Sequence, residues 1–433
     1  MPLTSPSTFA LRALTFRDMK TRTTDILIIG GGPAGSLAAL ALADAGFSCV
    51  LAEKFPLKVQ REASFDGRTT ALAYAGQRLL DRLGLWEALE PEAGPIHDII
   101  VTDGRPKDRF RQGGVAPGFL HFDSRLLNDD NDPQAMGWIV ENRHMRAVFL
   151  EAVETHALIQ VKAPSNWQDT KIDGARNLVC FEDGQSIAAS LVIAADGRPS
   201  PLRDHAGLRT TKWSYDQSGI VCTVKCEKDH QNIAQEYFLP GGPFAVLPLP
   251  RQRANLVWTE RTPQAKALMT LPKPALMEFL QDRFGDYLGK LSFEGPIWSY
   301  PLSFHIAEKF YSDRLALIGD AAHGVHPIAG QGFNLGIKDI AALRDVLSDA
   351  ALTGLDIGHG AVLERYQSWR NFDTAALAFG MDGLCRLFSN DLAPLRLIRS
   401  TGLGLVNKSP ALRKFFMRLA GNDIGDLPSL MRA

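Results

Sequence analysis

The sequence predicts an α/β protein: a Rossmann-like nucleotide-binding domain, an inserted antiparallel sheet and a C-terminal helical region. Three observations carry that expectation. Short apolar, β-branched runs ending in glycine or Asp-Gly recur at three separated places, as buried parallel strands do. An alternating strand pattern fills the stretch between the second and third of them. Beyond residue 360 the periodicity is helical throughout.

In order, Asp25–Ile29 reads as the first strand, and an Ala/Leu-rich helix follows from about Pro33 to Ala45, stopped by Gly46. Ser48–Ala52 reads as the second strand, completing a βαβ unit. A helix is expected around Gly76–Leu83, strands and loops over 96–136, and an amphipathic helix over Arg143–Thr155. Leu191–Ala195 reads as another buried strand, ending in Asp196-Gly197. Strands follow at Gly219–Lys225, Phe244–Leu249 and Asn255–Trp258, with one helix near Pro274–Phe284. Leu315–Ile318 is again a buried strand, running into a Gly-rich turn and a long helix from about Gly332. A chain of 433 residues exceeds one comfortable core. The expected division is a tail over 1–24, a discontinuous nucleotide-binding domain over 25–209 and 300–350, a substrate-binding sheet from 96–136 and 210–299, and a helical region over 351–433.

The apolar fraction of 45% fits a soluble globular protein, and a net charge of −1 argues against a nucleic-acid binder. Five cysteines (Cys49, Cys180, Cys222, Cys226, Cys385) are scattered and never spaced as CxxC. They support neither a disulfide framework nor a zinc site, and fit a reducing compartment. No apolar run reaches the roughly 20 residues needed to cross a bilayer. Residues 1–18 hold Arg12 and Arg17, several Ser and Thr, and no acid before Asp18. Two readings stand: a transit-like segment, or a start placed too far upstream of Met19-Lys20-Thr21. The second is preferred.

Three motifs carry chemistry. Gly30, Gly32 and Gly35 form GxGxxG between strand and helix, and Glu53 closes the second strand where an acid accepts ribose hydroxyls. The helix N-terminus offers free N–H groups and a positive dipole end to phosphates. Asp196-Gly197-Arg198-Pro199-Ser200-Pro201-Leu202-Arg203 follows a buried strand. An Asp-Gly pair alone is usually a turn, and Arg203 reads equally as a phosphate contact or a surface cation. Finally Gly319-Asp320-Ala321-Ala322-His323 leads into Pro327-Ile328-Ala329-Gly330-Gln331-Gly332-Phe333-Asn334. An acid at the carboxyl end of a parallel strand faces the ligand crevice, so Asp320 can hold a ribose or ribityl hydroxyl. His323 and His326 read as satisfied structural histidines, with no ligand set for a metal.

Together these segments resemble the single-component flavoprotein monooxygenases with a para-hydroxybenzoate hydroxylase-like fold. The GxGxxG, a complete DGxxSxxR and a complete GDAAHxxxPxxGxGxNxGxxD running to Asp339 carry the resemblance, which covers nearly the whole chain from Asp25. Within that family the chain is similar to ubiquinone-biosynthesis hydroxylases of the 2-polyprenyl-6-methoxyphenol type. Phe65-Asp66-Gly67-Arg68, His326-Pro327 through Gly336, Gly242-Pro243 through Pro248, and the tail from Leu387 through Leu403 carry that closer likeness.

The resemblance implies bound FAD, with NADPH or NADH as a transient co-substrate. Gly30, Gly32, Pro33, Ala34, Gly35, Glu53, Lys54, Arg68, Arg143, Asp196, Gly197, Gly319, Asp320, Pro327, Gly330, Gln331, Gly332, Phe333 and Asn334 are the implied cofactor contacts. Asn142 stands where many aromatic hydroxylases carry Arg, so the roles of Asn142 and Arg143 stay open. The implied reaction passes one atom of O₂ to an electron-rich phenol ring through a flavin C4a-hydroperoxide. No acid–base residue is singled out, and no metal is expected. The implied substrate is a prenylated phenol, with Pro243–Leu249 and Val257-Trp258 as an apolar lining or plain core. Arg386, Arg396, Arg399, Lys408, Arg413, Lys414 and Arg418 make the C-terminal helices basic and amphipathic, suiting an anionic membrane surface, another ubiquinone-biosynthesis protein or solvent. The expected location is cytoplasmic and peripherally membrane-associated, or the mitochondrial matrix if residues 1–18 are a transit segment. The rival readings are a same-fold FAD enzyme on another aromatic substrate, a prenyl-lipid reductase and a non-enzymatic lipid escort; a halogenase is disfavoured because Trp213-Ser214-Tyr215 does not supply the WxWxIP segment.

Overall fold

Strands and helices alternate at the start of the chain because buried β-branched runs are punctuated by glycine. The computed structural model describes residues 21–61, 67–103, 119–127, 134–239, 241–326, 330–388 and 393–433. The segment 1–18 and Phe65, Asp66 and Pro327 lie outside the described residues.

The first sheet runs β17 (Tyr311–Ser312), β18 (Leu315–Leu317), β11 (Ser186–Ala194), β1 (Thr21–Ile29), β2 (Cys49–Ala52), β8 (Ile159–Lys162). From β18 to β8 every neighbour is parallel. The hairpin β9 (Trp167–Asp173) and β10 (Arg176–Phe181) joins β11 antiparallel. Strands covered on both faces must be apolar nearly throughout, and Ile26, Leu27, Ile28, Leu191, Val192 and Ile193 are fully buried. Helix α1 (Pro33–Asp44) and the long helix α3 (Gln331–Leu352) pack on this sheet's core.

The second sheet runs β19 (His323–Gly324), β16 (Leu291–Ala307), β12 (Thr210–Cys226), β15 (Arg253–Arg261), β14 (Gly242–Leu249), β13 (Ile233–Leu239), β5 (Asp98–Asp103), β6 (Phe119–Asp123). It is antiparallel except where β13 meets β5. A three-stranded sheet, β3 (Thr69–Ala73), β7 (Gly137–Glu141), β4 (Ala93–Ile96), bridges the two. Helix α2 (Asn142–Thr155) follows β7, and α4 (Gly360–Phe388), α5 (Ala393–Lys408) and α6 (Pro410–Ala420) complete the chain.

The structure departs from the sequence reading in instructive places. β1 begins at Thr21, inside the stretch read as tail, because Thr21–Thr24 pair with Ser186–Ala189 although their side chains are polar. The hairpin β9–β10 was not anticipated, since β9 is largely exposed and gives no apolar alternation. A short helix, Thr262–Met269, precedes the expected one, which spans Lys273–Phe284. Trp258 and Phe244 do not line a substrate face: they lie in the core beneath those helices, with Tyr237 and Val246. Alternation turns Ala245, Leu247 and Val257 to the opposite face.

Cys49, Cys180, Cys222 and Cys226 are buried. Burial pushes the thiols of Cys49 and Cys222 up to about 12 and that of Cys226 to about 11.

A buried ion pair joins the bridging sheet to the second sheet. Arg253 Nη1 donates to Glu141 Oε1 at 3.1 Å, with both side chains at most 5% exposed. Arg143 Nη2 and His144 Nε2 reach Glu141 Oε2 at 3.0 and 3.1 Å. Glu92 lies alongside, but it is paired with Arg251, so Glu92, Glu141 and His144 form an ion-pair cluster rather than a metal centre. Burial alone would raise the Glu141 carboxyl; the hydrogen bonds from His144 and Arg143 and the charge of Arg253 instead hold it at about 2. That lies below its ordinary 4.5, so the pair stabilises the fold above pH ~4.5 and loses its effect as pH falls towards ~2. Glu141→Gln should therefore cost about 3 kcal/mol at neutral pH, read as a lower urea midpoint. The same variant should flatten the acid limb of stability; an unaltered limb would show that this pair does not set it.

Candidate functional site

Three turns leave the carboxyl ends of adjacent strands. β2, β1, β11 and β18 stand side by side, with Ile29 level with Ala52 and Ala194, and Ala194 level with Leu317. Neighbouring strands are about 4.8 Å apart, so the Gly30, Asp196 and Gly319 turns share one crevice.

In the first turn, Gly30 has φ +108, and a Cβ there would sit 2.4 Å from the Ala195 carbonyl oxygen. A Cβ on Gly35 would sit 1.8 Å from the Gly30 carbonyl oxygen. Both glycines are thus demanded by the protein's own backbone. Gly32 differs: a Cβ there meets nothing within 4 Å. No described residue gives it a steric reason; a phosphate approaching the backbone would supply one. Gly32 is the N-cap of α1, without a side-chain cap, with Pro33 and Ala34 opening the helix. Glu53 is buried; its Oε2 accepts the Gly31 N–H at 2.6 Å and its Oε1 the Phe55 N–H at 2.9 Å. Lys54 is exposed, its ammonium 6.0 Å from the Phe55 ring.

In the second turn, Gly197 has φ +87. Asp196 accepts from Ser200 Oγ and from the Leu202 N–H at 3.0 Å, so its carboxylate folds the turn. Burial nevertheless raises its carboxyl above the ordinary range. Arg203 is not a surface cation. It is 5% exposed and donates to the carbonyls of Ala321 at 3.1 Å and Arg198 at 3.2 Å, tying the second turn to the third. Arg198 extends the tie to the second sheet through Ser303 and Val325.

In the third turn, Gly319 has φ +54 and donates its N–H to Asp339 Oδ2 at 3.0 Å. Asp339 is fully buried and also accepts from His323 Nε2 at 2.6 Å and Arg370 Nε at 2.9 Å. Burial opposes its ionisation, but His323 and Arg370 hold the carboxyl below its ordinary value. Asp320, by contrast, is exposed; its backbone carbonyl accepts from His305 Nε2 at 2.9 Å.

His323 thus has the structural role expected of it. His326 does not: it is 1% exposed, and among the described residues neither ring nitrogen has a hydrogen-bond partner. It packs edge-on against Tyr215 at 4.9 Å, and burial drives it down to about 4, so it is neutral.

α3 starts at Gln331 after left-handed Gly330, whose Cβ would meet the Ala71 Cβ at 2.5 Å. Gln331 and Asn334 spend their amides on protein. Gln331 bonds the Ala420 carbonyl and Asn422, and Asn334 bonds the Ala71 carbonyl and the Ala73 N–H. What this turn offers a ligand is backbone, at Gly332 and Phe333; a Cβ on Gly332 meets only open space. Arg68 is exposed beside α2, its carbonyl accepting from the Asn142 N–H at 3.0 Å, and Arg143 is paired with Glu141.

Asn255 escaped the sequence reading. It is fully buried, donates to the Gly67 carbonyl at 2.8 Å and accepts from Thr69 Oγ1 at 2.9 Å, locking the second sheet to the Arg68 turn. Its one signal is a polar residue at an inward strand position.

A parallel sheet whose glycine-rich turns share one crevice, roofed by a second, mainly antiparallel sheet, is the architecture of the FAD-dependent monooxygenases. A profile of the FAD binding domain family matches residues 23–376, and the chain belongs to that family. It is 41% identical over 411 residues to ubiquinone hydroxylase UbiL of Rhodospirillum rubrum, covering 94% of this chain and 92% of that one. It is 32% identical over 405 residues to 3-demethoxyubiquinol 3-hydroxylase of Escherichia coli, covering 93% and 99%. In fold it resembles p-nitrophenol 4-monooxygenase PnpA of Pseudomonas putida, with a TM-score of 0.74 at 18% identity, covering 93% and 100%.

Gly32→Ala should leave the unfolding temperature of the FAD-free protein unchanged and weaken FAD binding by at least roughly tenfold, measured by fluorescence titration. Asp320→Ala should likewise weaken FAD retention with the fold intact. Unchanged affinity would remove the residue concerned from the site.

Proposed function

We propose that the chain hydroxylates the aromatic ring of a polyprenylated phenol in ubiquinone biosynthesis, using O₂ and NADPH or NADH. The observation that carries this reading is the likeness to ubiquinone hydroxylases along nearly the whole chain. FAD, when bound, would supply the transfer of one oxygen atom to the ring, and the protein would supply position and shelter.

Gly30, Gly32, Pro33, Ala34 and Gly35 would hold the pyrophosphate against the N-terminus of α1, where N–H groups and dipole favour negative charge. The buried Glu53 keeps lone pairs for a ribose hydroxyl after accepting two backbone donors. Asp320 would take a ribityl hydroxyl, with Gly319 and Gly197 shaping the crevice floor. The Gly332 and Phe333 amides at the start of α3 would face the isoalloxazine edge that gains negative charge, with Gly330, Gln331 and Asn334 bracing them. Arg68 and Lys54, both exposed, and Arg143, half-buried, would flank the cofactor.

Peripheral membrane contact belongs to the same reading, because a polyprenyl substrate partitions into lipid. No helix among the described residues is long and apolar enough to cross a membrane. On α6, Leu412, Phe415, Phe416 and Leu419 are exposed beside Lys414 and Arg418. Arg413 is turned inward, donating to the His121 carbonyl. The side chains of Arg386, Arg396 and Arg399 lie outside the described residues. An exposed apolar and basic helix suits an anionic surface. Neighbouring proteins of the same pathway are the other occupant of this reading. One human relative is named a mitochondrial ubiquinone biosynthesis monooxygenase, which is consistent with the matrix as an alternative to the cytoplasmic side.

With a prenylated phenol, NADPH or NADH and ¹⁸O₂, the purified protein should yield a ring-hydroxylated product carrying one ¹⁸O. Reduction of a prenyl double bond without O₂ would replace this reading by a reductase. Expression should also rescue one class of quinone-deficient mutants blocked at a single ring position; rescue of none would point to another aromatic substrate. The double variant Phe415→Ser, Phe416→Ser should bind anionic vesicles at least roughly tenfold more weakly, and undiminished co-sedimentation would clear α6 of that role.

A further inference from the structure

The second sheet carries one carboxyl that nothing so far explains. Glu236 lies at the middle of β13, opposite Ala245 of β14 and Val101 of β5. Directly opposed residues share a face, and so do residues two apart on a strand. Asn255, which bonds the Gly67 carbonyl beside Arg68, stands opposite Leu247. Leu247 and Ala245 are two apart, and Ala245 opposes Glu236. Glu236 therefore projects from the face turned towards the cofactor domain, away from Tyr237 and the helix-covered core.

Apolar side chains surround it on that face. Ala234, two residues before, packs with Ile139, Leu249 and Met417 of α6, in a cluster that reaches Ala71. Ala71 in turn touches Gly330 at the start of α3. Phe238, two residues after, packs with Leu120 and with Leu403 of α5. The carboxyl stands between these clusters, under the C-terminal helices. Among the described residues it makes no hydrogen bond and no ion pair, and its side chain is half-buried. Burial, with no opposing charge, pushes it well above the ordinary carboxylate range.

A carboxyl partly withdrawn from water without a partner among the described residues lowers stability. Such groups concentrate where a ligand completes them. On the reading that the substrate is a prenylated phenol, we propose that Glu236 is the group that hydrogen-bonds the phenol hydroxyl, fixing which ring carbon faces the flavin. The apolar clusters on either side receive the ring edges and the first prenyl unit. Burial favours the protonated form, which both donates and accepts and so can pair with a phenolic oxygen.

The test uses FAD-loaded protein and two probes, 2-prenylphenol and its methyl ether, with binding followed by flavin fluorescence in the absence of NADPH or NADH. Glu236→Leu should lower phenol affinity at least roughly tenfold, the size expected when a buried polar group loses its partner. Affinity for the methyl ether should change less than roughly threefold, because the ether has no hydroxyl proton to place. Glu236→Gln, which keeps an acceptor and donors, should restore most of the phenol affinity. The Glu236→Leu protein should unfold at a temperature no lower than wild type, since it removes a half-buried carboxyl without a partner among the described residues. The proposal is overturned if Glu236→Leu binds the phenol as wild type does, or loses both probes alike. Those outcomes leave the hydroxylase reading standing, whereas wild-type protein that binds and hydroxylates neither probe would remove both.

Discussion

The carboxylate of Asp339, fully buried in α3, accepts at once from His323, Arg370 and the Gly319 amide. Three donors around one anion in a low-dielectric interior fix positions far more tightly than apolar packing does, because removing any of them strands a buried charge. Here they fix the angle at which β18 passes into α3, and with it the place of Asp320. Arg203 carries that order sideways through the Ala321 carbonyl to the Asp196 turn. The crevice is thus a rigid rim, in which most polar side chains serve the backbone and the backbone is what a ligand would meet.

That arrangement decides how much could be read from the amino acids alone. Parallel strands declare themselves because burial on both faces forces apolar runs, and β1, β2 and the end of β11 were legible for that reason. The glycines were legible because close approach leaves no alternative, as at Gly30 and Gly35. Strands that pair through backbone while exposing polar side chains were not: β9 and the first residues of β1 carry no alternation. Face assignment failed for the same reason in reverse. The run Pro243–Leu249 is apolar on both sides, and only register shows that Phe244 and Val246 point to one core and Ala245 and Leu247 to the other.

Within the crevice the motifs located the turns and blurred the roles inside them. Arg203 looked like a phosphate contact or a surface charge and is a buried tie. Gln331 and Asn334 looked like contacts, yet their amides are spent on the Ala420 and Ala71 carbonyls. A one-dimensional motif records which residues a turn needs, without separating those that build it from those that touch what it holds. The connections between domains, Glu141 with Arg253 and Asn255 with Gly67, had no motif because their partners lie more than a hundred residues apart.

The four buried thiols bear on the chemistry this protein conducts. Attack by oxidants and alkylating reagents requires a thiolate, and Cys49 and Cys222, raised to about 12, hold almost none at neutral pH. An enzyme that reduces molecular oxygen releases peroxide whenever turnover misfires. Sulfur kept protonated inside a sheet core is spared that by-product, so wear under such misfiring falls on residues other than these cysteines.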